Sequence, residues 1–191
     1  MQQPCDRKLI SASGQSDQMP EVKEMNVAPN TLIVTEKPED YLAVEKLAED
    51  AFGPGRFTRT AFRLREGVPR EPDLSFVTWM GDMPIAAVKL TKIWVGDKEA
   101  LLLGPLVVSK EYKSRGYGAQ LMETAVNAAK SAGHDCIILV GDLPYYQRFG
   151  FEIVKRGTIT LPGPVDPQRL LICPLKDGAA ENMSGTARPY C

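Results

Sequence analysis

The residues most able to do chemistry lie together in Lys113-Ser114-Arg115-Gly116-Tyr117-Gly118, between a strand-like run and a helix-like one. A helix that opens at this point exposes unpaired N–H groups and the positive end of its dipole. Glycines there let a bulky anion approach the backbone. Lys113 and Arg115 add charge-assisted hydrogen bonds, each contributing about 1.5–3 kcal/mol when well made. Residue types and order thus describe a pyrophosphate cradle.

Two other nucleotide-binding patterns fail on missing residues. The P-loop pattern G-x-x-x-x-G-K-[ST] is absent. The dinucleotide fingerprint fails at its third position, because Gly116-Tyr117-Gly118 continues as Ala119-Gln120-Leu121. No Ser/His/Asp triad or metal cluster can be assembled. His134, the only histidine, sits in a Gly-His-Asp turn, and Asp97 and Glu99 stand at another turn.

The elements that must position the cradle follow from periodicity. Thr31–Thr35 is β-branched and predicts a strand. Thr35 is a candidate cap and Pro38 a first-turn residue for a helix carrying Val44, Leu47, Ala48, Ala51 and Phe52, stopped by Gly53. A short second helix is expected over residues 61–65. Leu74, Phe76, Thr78 and Met80 alternate, and two turns, Gly81-Asp82 and Gly96-Asp97, separate this strand from Ile85–Val95 and from Leu101–Val108. Gly104-Pro105 interrupts that last run, so a bulge or splay is expected, with backbone groups left open to a ligand. Leu121, Met122, Ala125, Val126 and Ala129 predict a helix over 117–132. Cys136–Val140 reads as a buried strand, followed by a helical turn near 145–148 and strands at 151–154 and 169–175. The sum is an α/β chain, a mixed sheet flanked by helices.

Composition sets the class. Hydrophobic residues make up 43% of the 191 residues and charged ones 25%, the balance of a globular protein. The 23 basic and 24 acidic residues nearly cancel, which argues against nucleic acid as a partner. Cys5, Cys136, Cys173 and Cys191 form no C-x-x-C pair, so neither a disulfide framework nor a zinc site is expected. With no apolar run of about 18 residues and no signal-like segment, the expected setting is cytoplasmic, away from membranes. Residues 1–30 read as a disordered leader, 31–176 as one domain and 177–191 as a flexible tail.

The segment from Leu106 to Gly118 resembles motif A of the GNAT superfamily of acyl-CoA N-acyltransferases, [RQ]-x-x-G-x-[GA] after a strand. Residues 144–151, Pro-Tyr-Tyr-Gln-Arg-Phe-Gly-Phe, resemble its motif B, Tyr-x-x-x-Gly-Phe. The resemblance spans about residues 31–175 and implies a mostly antiparallel sheet with a splayed middle strand. It implies acetyl-CoA as acyl donor, its pantetheine arm against the backbone of Leu106, Val107 and Val108 and its pyrophosphate on Lys113, Ser114, Arg115, Gly116, Tyr117 and Gly118. The reaction implied is attack by an amine acceptor, small molecule or protein, through a tetrahedral intermediate. Val108 N–H is then the oxyanion donor and Tyr146 the partner of the leaving thiolate, with Tyr145 as neighbouring fallback and no metal. Two departures stand out. Lys113 replaces Arg or Gln, keeping charge and losing the planar fork, and no Asn follows the strand at 136–140. By analogy, residues 52–72, with Arg56, Arg59, Arg63, Arg65 and Arg70, form the acceptor wall. The alternative function is a non-catalytic acyl-CoA-binding sensor. Oligomeric state, a homodimer included, is left open.

Overall fold

The computed structural model describes residues 30–55, 60–68 and 71–190. The expected leader therefore lies outside the described residues, apart from Asn30, as do Arg56, Arg59 and Arg70. Nine strands and four helices alternate along the described chain. They are β1 (Thr31–Thr35), α1 (Tyr41–Phe52), α2 (Thr60–Arg63), β2 (Phe76–Met80), β3 (Met83–Val95), β4 (Lys98–Val108), α3 (Tyr117–Ser131), β5 (Cys136–Val140), α4 (Leu143–Tyr146), β6 (Glu152–Ile153), β7 (Ile159–Thr160), β8 (Leu170–Pro174) and β9 (Gly185–Pro189). The sheet order is β1-β2-β3-β4-β5-β8-β6, antiparallel throughout except for β4 beside β5. Thr35 ends β1 and caps nothing. Pro38 instead opens a 3-10 turn whose preceding Lys37 N–H donates to Asp40 Oδ2 at 2.9 Å.

The sheet has two faces. Leu101, Leu103, Ile137 and Leu139 point toward α3, where Leu121, Met122, Ala125 and Ala129 are fully buried. Ala100, Leu102, Cys136 and Ile138 point the other way, onto Leu64, Met183 and Ala187. On that second face α1 packs Val44 and Leu47 against Val77, Ala87 and Val107. The expectation of a strand covered on both faces holds for β5, although its second cover is α2 and the later strands and not a long helix.

The centre of the sheet is irregular where Gly104-Pro105 predicted it. Val88 pairs with Leu106 and Leu90 with Leu103, so Gly104 and Pro105 together oppose the single Lys89. That is a β-bulge. On the other edge β4 pairs with β5 only through Leu101–Ile137 and Leu102–Ile138. Beyond Leu102 the two strands part. Lys89, buried opposite the bulge, ion-pairs with Glu45 of α1 at 3.1 Å and with Glu36 at 3.4 Å. A buried lysine needs such partners, and here they join α1 and the end of β1 to the bulged region.

The stretch expected to trail as a flexible tail contains β9, which corrects that reading. β2 covers β3 only as far as Val88, leaving the far half of a 13-residue strand without a neighbour on that side. β9 fills the vacancy, pairing Ala187, Arg188 and Pro189 with Val95, Trp94 and Ile93. Its low apolar content hid it, because only Ala187 faces the core and the edge is sealed by ring contacts. Tyr190 stacks on Trp94 at 5.0 Å and Arg188 lies over Trp94 at 5.4 Å. Gly185 touches Gly96 so closely that a Cβ on Gly185 would lie 2.7 Å from the Gly96 Cα. Gly185→Val is therefore expected to destabilise the fold by about 1–3 kcal/mol. Gly55→Ala, where a Cβ meets nothing, should stay within about 0.5 kcal/mol. Urea unfolding of both variants checks the difference.

Candidate acyl-donor site

Antiparallel pairing dictates which backbone groups of β4 face the split. Ser109 N–H donates to Ile85 O at 2.8 Å, so residues 109 and 85 form a hydrogen-bonded pair. Such pairs alternate with non-bonded ones. By the register, Val107 and Ala87 form the next bonded pair, whereas Leu106 and Val108 face β3 as non-bonded pairs. The N–H and C=O of Leu106 and Val108 consequently point into the split, and those of Val107 point to β3. Of the three strand residues singled out by sequence, the fold turns two toward the opening and one away.

The loop after β4 completes the opening. Ser114 has φ 61°, the sole non-glycine with positive φ among the described residues, and Gly116 has φ 93° as the residue preceding α3. These two left-handed residues turn the chain sharply from the end of β4 into α3. Within α3 the first carbonyl used is Gly116 O, which accepts from Ala119 and Gln120. The N–H groups of Gly116, Tyr117 and Gly118 thus precede the helical ladder and form its donor-rich end.

A cavity of about 580 Å³ joins these parts, bounded by β4 from Leu106 to Val108, the 112–119 loop, the end of α1 at Ala51 and Phe52, and Tyr145 and Arg148. Lys113 and Ser114 line it; Arg115 does not and instead lies over the Tyr112 ring at 5.4 Å. Arg148, passed over in the sequence, supplies a second cation at the cavity and stacks on Tyr145 at 4.5 Å. Its sequence signal was weak, since an arginine inside a Tyr-x-x-x-Gly-Phe segment reads as a solvated helix residue.

The two tyrosines of α4 part company. Tyr145 lines the cavity, and its hydroxyl lies 2.9 Å from where a Cβ on Gly118 would stand. Tyr146 packs behind it against Gly141 and, edge to face at 5.8 Å, on Phe151. Burial, helped by neighbouring Tyr145 and Asp142, pushes its hydroxyl up to about 12. Tyr146 is therefore a neutral phenol over the whole physiological range, able to donate a hydrogen bond and unable to act as a base. Among the described residues, no group of three His, Cys, Asp or Glu could hold a metal ion, and no helix is long and apolar enough to cross a membrane.

With the parting of β4 and β5 and the donor end of α3 established, the comparisons with known proteins give the class. The profile of the Acetyltransferase (GNAT) family matches residues 41–151, and the chain belongs to that family. Its relatives include the Escherichia coli uncharacterized N-acetyltransferase YhbS, 22% identical over 81% of this chain and 93% of that protein. YjhQ, an uncharacterized N-acetyltransferase of the same organism, is 26% identical over 67% of this chain and 72% of its own length. The crystal structure of YhbS in complex with CoA superposes with a TM-score of 0.73, covering 87% of this chain and 93% of YhbS at 22% identity. A Brucella melitensis GNAT acetyltransferase in complex with acetyl-CoA gives 0.56, covering 74% and 94% at 24% identity.

Three buried acids make the fold sensitive to alkali. Burial pushes the Cys136 and Cys173 thiols to about 11 from 9.0 and, as above, Tyr146 to about 12 from 10.0. The folded state holds these protons more tightly than the unfolded chain, so their contribution is complete below about pH 9 and is lost as pH rises through 11 to 12. Urea unfolding should show a stability flat from pH 7 to 9 and falling above it. Cys136→Ala combined with Cys173→Ala should make that fall shallower.

Proposed function

We propose that this protein is an acetyl-CoA-dependent N-acetyltransferase that passes the acetyl group directly to an amine. The observation that supports it most is the orientation of the Leu106 and Val108 backbone groups into a split whose mouth is the N-terminus of α3. A pantetheine arm carries two amides and can pair with such an edge as a short strand would. The pyrophosphate belongs at the other end, on the N–H groups of Gly116, Tyr117 and Gly118, with Lys113, Ser114 and Arg148 beside it. Arg115 lies over the Tyr112 ring, so its part in holding the pyrophosphate is the weakest of the loop residues.

This ordering sets the place of the reacting carbon. If pyrophosphate sits at residues 113–118, the arm runs back along β4 past Val108, and the thioester reaches Leu106 beside the bulge. The oxyanion donor is then Leu106 N–H, and Val108 holds the arm; the sequence reading had given Val108 the first role. The neutral amine nitrogen forms its bond to the acyl carbon, the C–S bond breaks with CoA leaving as its thiolate, and the nitrogen's proton passes to water. Removing one preorganised oxyanion donor costs about 10²–10³ in rate, which a backbone N–H in this place would supply.

Tyr146 is assigned to the departing thiolate, as hydrogen-bond donor only. Full proton transfer from a phenol at about 12 to the thiolate of a thiol near 8.5 would be uphill by roughly 5 kcal/mol. Tyr145, at the Gly118 end of the cavity, is assigned to holding the donor. Tyr146→Phe should lower kcat at least tenfold with the KM for acetyl-CoA nearly unchanged. Tyr145→Phe should raise that KM and leave kcat within about threefold. Steady-state kinetics with thiol detection separate the two, and the reverse pattern would exchange the roles.

Thermal melting tests the donor itself. With 1 mM acetyl-CoA and a Kd of about 10 μM, mass action adds about 2.7 kcal/mol, or roughly 5–10 °C for a domain this size. NAD and ATP at the same concentration should leave Tm unchanged. Thiol release that rises with added amine identifies an enzyme. A melting shift with no amine-dependent release leaves an acyl-CoA-binding sensor.

A further inference from the structure

The hydrophobic cluster on the face away from α3 keeps its residual exposure in one place. Val154, Ile159, Leu161 and Leu170 are 6–9% exposed, and the other members, Leu64, Leu102 and Ile138 among them, 3% or less. Those four residues border a cavity of about 290 Å³. It shares no lining residue with the donor cavity. Core side chains that face a hollow forfeit dispersion contacts on that side, which an apolar occupant would restore.

The hollow is built by a pinned segment. The connection from β6 to β8, residues 154–169, contains only the two-residue β7. Connections so long and irregular are usually functional or disordered, and this one is tied at several points. Val154 N–H donates to Leu170 O at 2.9 Å, and Gly185 N–H to Thr158 O at 2.8 Å. Thr158 closes the turn at 155–158, its N–H and its Oγ1 both donating to Lys155 O. On the far side Thr60 Oγ1 donates to Pro164 O at 3.1 Å. Pro164 and Pro167 fix φ in that arc.

Charge gives the hollow its polarity. Lys155 and Arg156 border it and are exposed, and no acid lines it. Neither cation is ion-paired with another described residue, whereas Arg169, at the end of the same connection, is held by Asp142 at 3.0 Å. The cavity thus combines an apolar floor with two cations at its rim.

We propose that this cavity is a second binding site, for a small carboxylate carrying an apolar ring, an arylalkanoate. Size and charge select the class. A dry cavity of about 150 Å³ takes a benzene ring, so one of about 290 Å³ takes a ring with a short chain. The carboxylate at the end of that chain meets Lys155 and Arg156 through charge-assisted hydrogen bonds, which a neutral amide cannot match. A nucleotide or a sugar would set polar groups against Val154, Ile159, Leu161 and Leu170 with nothing to pair them. The assignment is independent of the acyl-transfer reading.

The test titrates the full chain with 3-phenylpropanoate, 3-phenylpropanamide and acetate, following the ¹³C-methyl resonances of Val154, Ile159, Leu161 and Leu170. We expect saturable shifts of those methyls with the acid, at least tenfold weaker binding of the amide, and no shift with acetate at the same concentrations. In Lys155→Gln combined with Arg156→Gln, acid and amide should bind alike, because the floor is kept and the charge is lost. Methyls silent to the acid, equal affinity for acid and amide in the wild type, or a preference that survives the double substitution would overturn the site. Shifts confined to the methyls of Leu106, Val107 and Val108 would place the acid in the donor cavity and overturn it equally. The wild-type titration needs no variant and no acetyl-CoA, so its outcome is separate from that of the donor site.

Discussion

The structure turns on a single constraint, the early end of pairing between β4 and β5. Two parallel pairs at Leu101 and Leu102 hold the strands together, and the bulge at Gly104-Pro105 then bends β4 away. Unpaired backbone in a protein interior is costly unless something satisfies it. A sheet that opens at its centre therefore exposes strand groups that a ligand with amides of its own could satisfy, which is the reading proposed for acetyl-CoA. The bulge has firm surroundings: Lys89 faces it and is ion-paired to Glu36 and Glu45, and Arg65 covers it. The opening is therefore held apart by packing on both sides.

Everything else about the site follows from where β4 leads. Past Val108 the chain passes through a 3-10 turn at Lys110–Tyr112 and the left-handed Ser114 into α3. α3 is anchored by Leu121, Met122, Ala125 and Ala129 against the same strands that form the split. Its donor-rich end cannot shift relative to the opening without disturbing the largest hydrophobic cluster. Anion cradle and open strand edge are so fixed at one separation, as recognition of a long ligand requires.

The two faces divide the labour. One carries α3, α4 and the cavity walls from Tyr145 and Arg148; the other carries α1, α2 and the segments that bring in Leu161 and Met183. β9 has a supporting part, because it pairs with Ile93, Trp94 and Val95 at the end of β3 that β2 leaves bare and so shortens the open edge there.

The sequence by itself determined the elements that have strong local signals. The apolar period of α3, the glycine loop before it, the β-branched strands and the Gly104-Pro105 interruption were all legible, since each acts through neighbouring residues only. It also carried the two motifs that point to the family. What tertiary structure decided was direction and partnership. That Val107 turns its amide to β3 while Leu106 and Val108 face the split depends on register, which Ile85 and Ser109 set across the sheet. That Tyr145 lines the cavity while Tyr146 lies against Gly141 depends on how α4 docks. β9 was invisible because five weakly apolar residues become a strand only when a bare edge is waiting. Arg65 stood among several arginines until the fold laid it on Gly104. Local propensity names the parts; long-range contacts, which no window of sequence contains, decide what faces what.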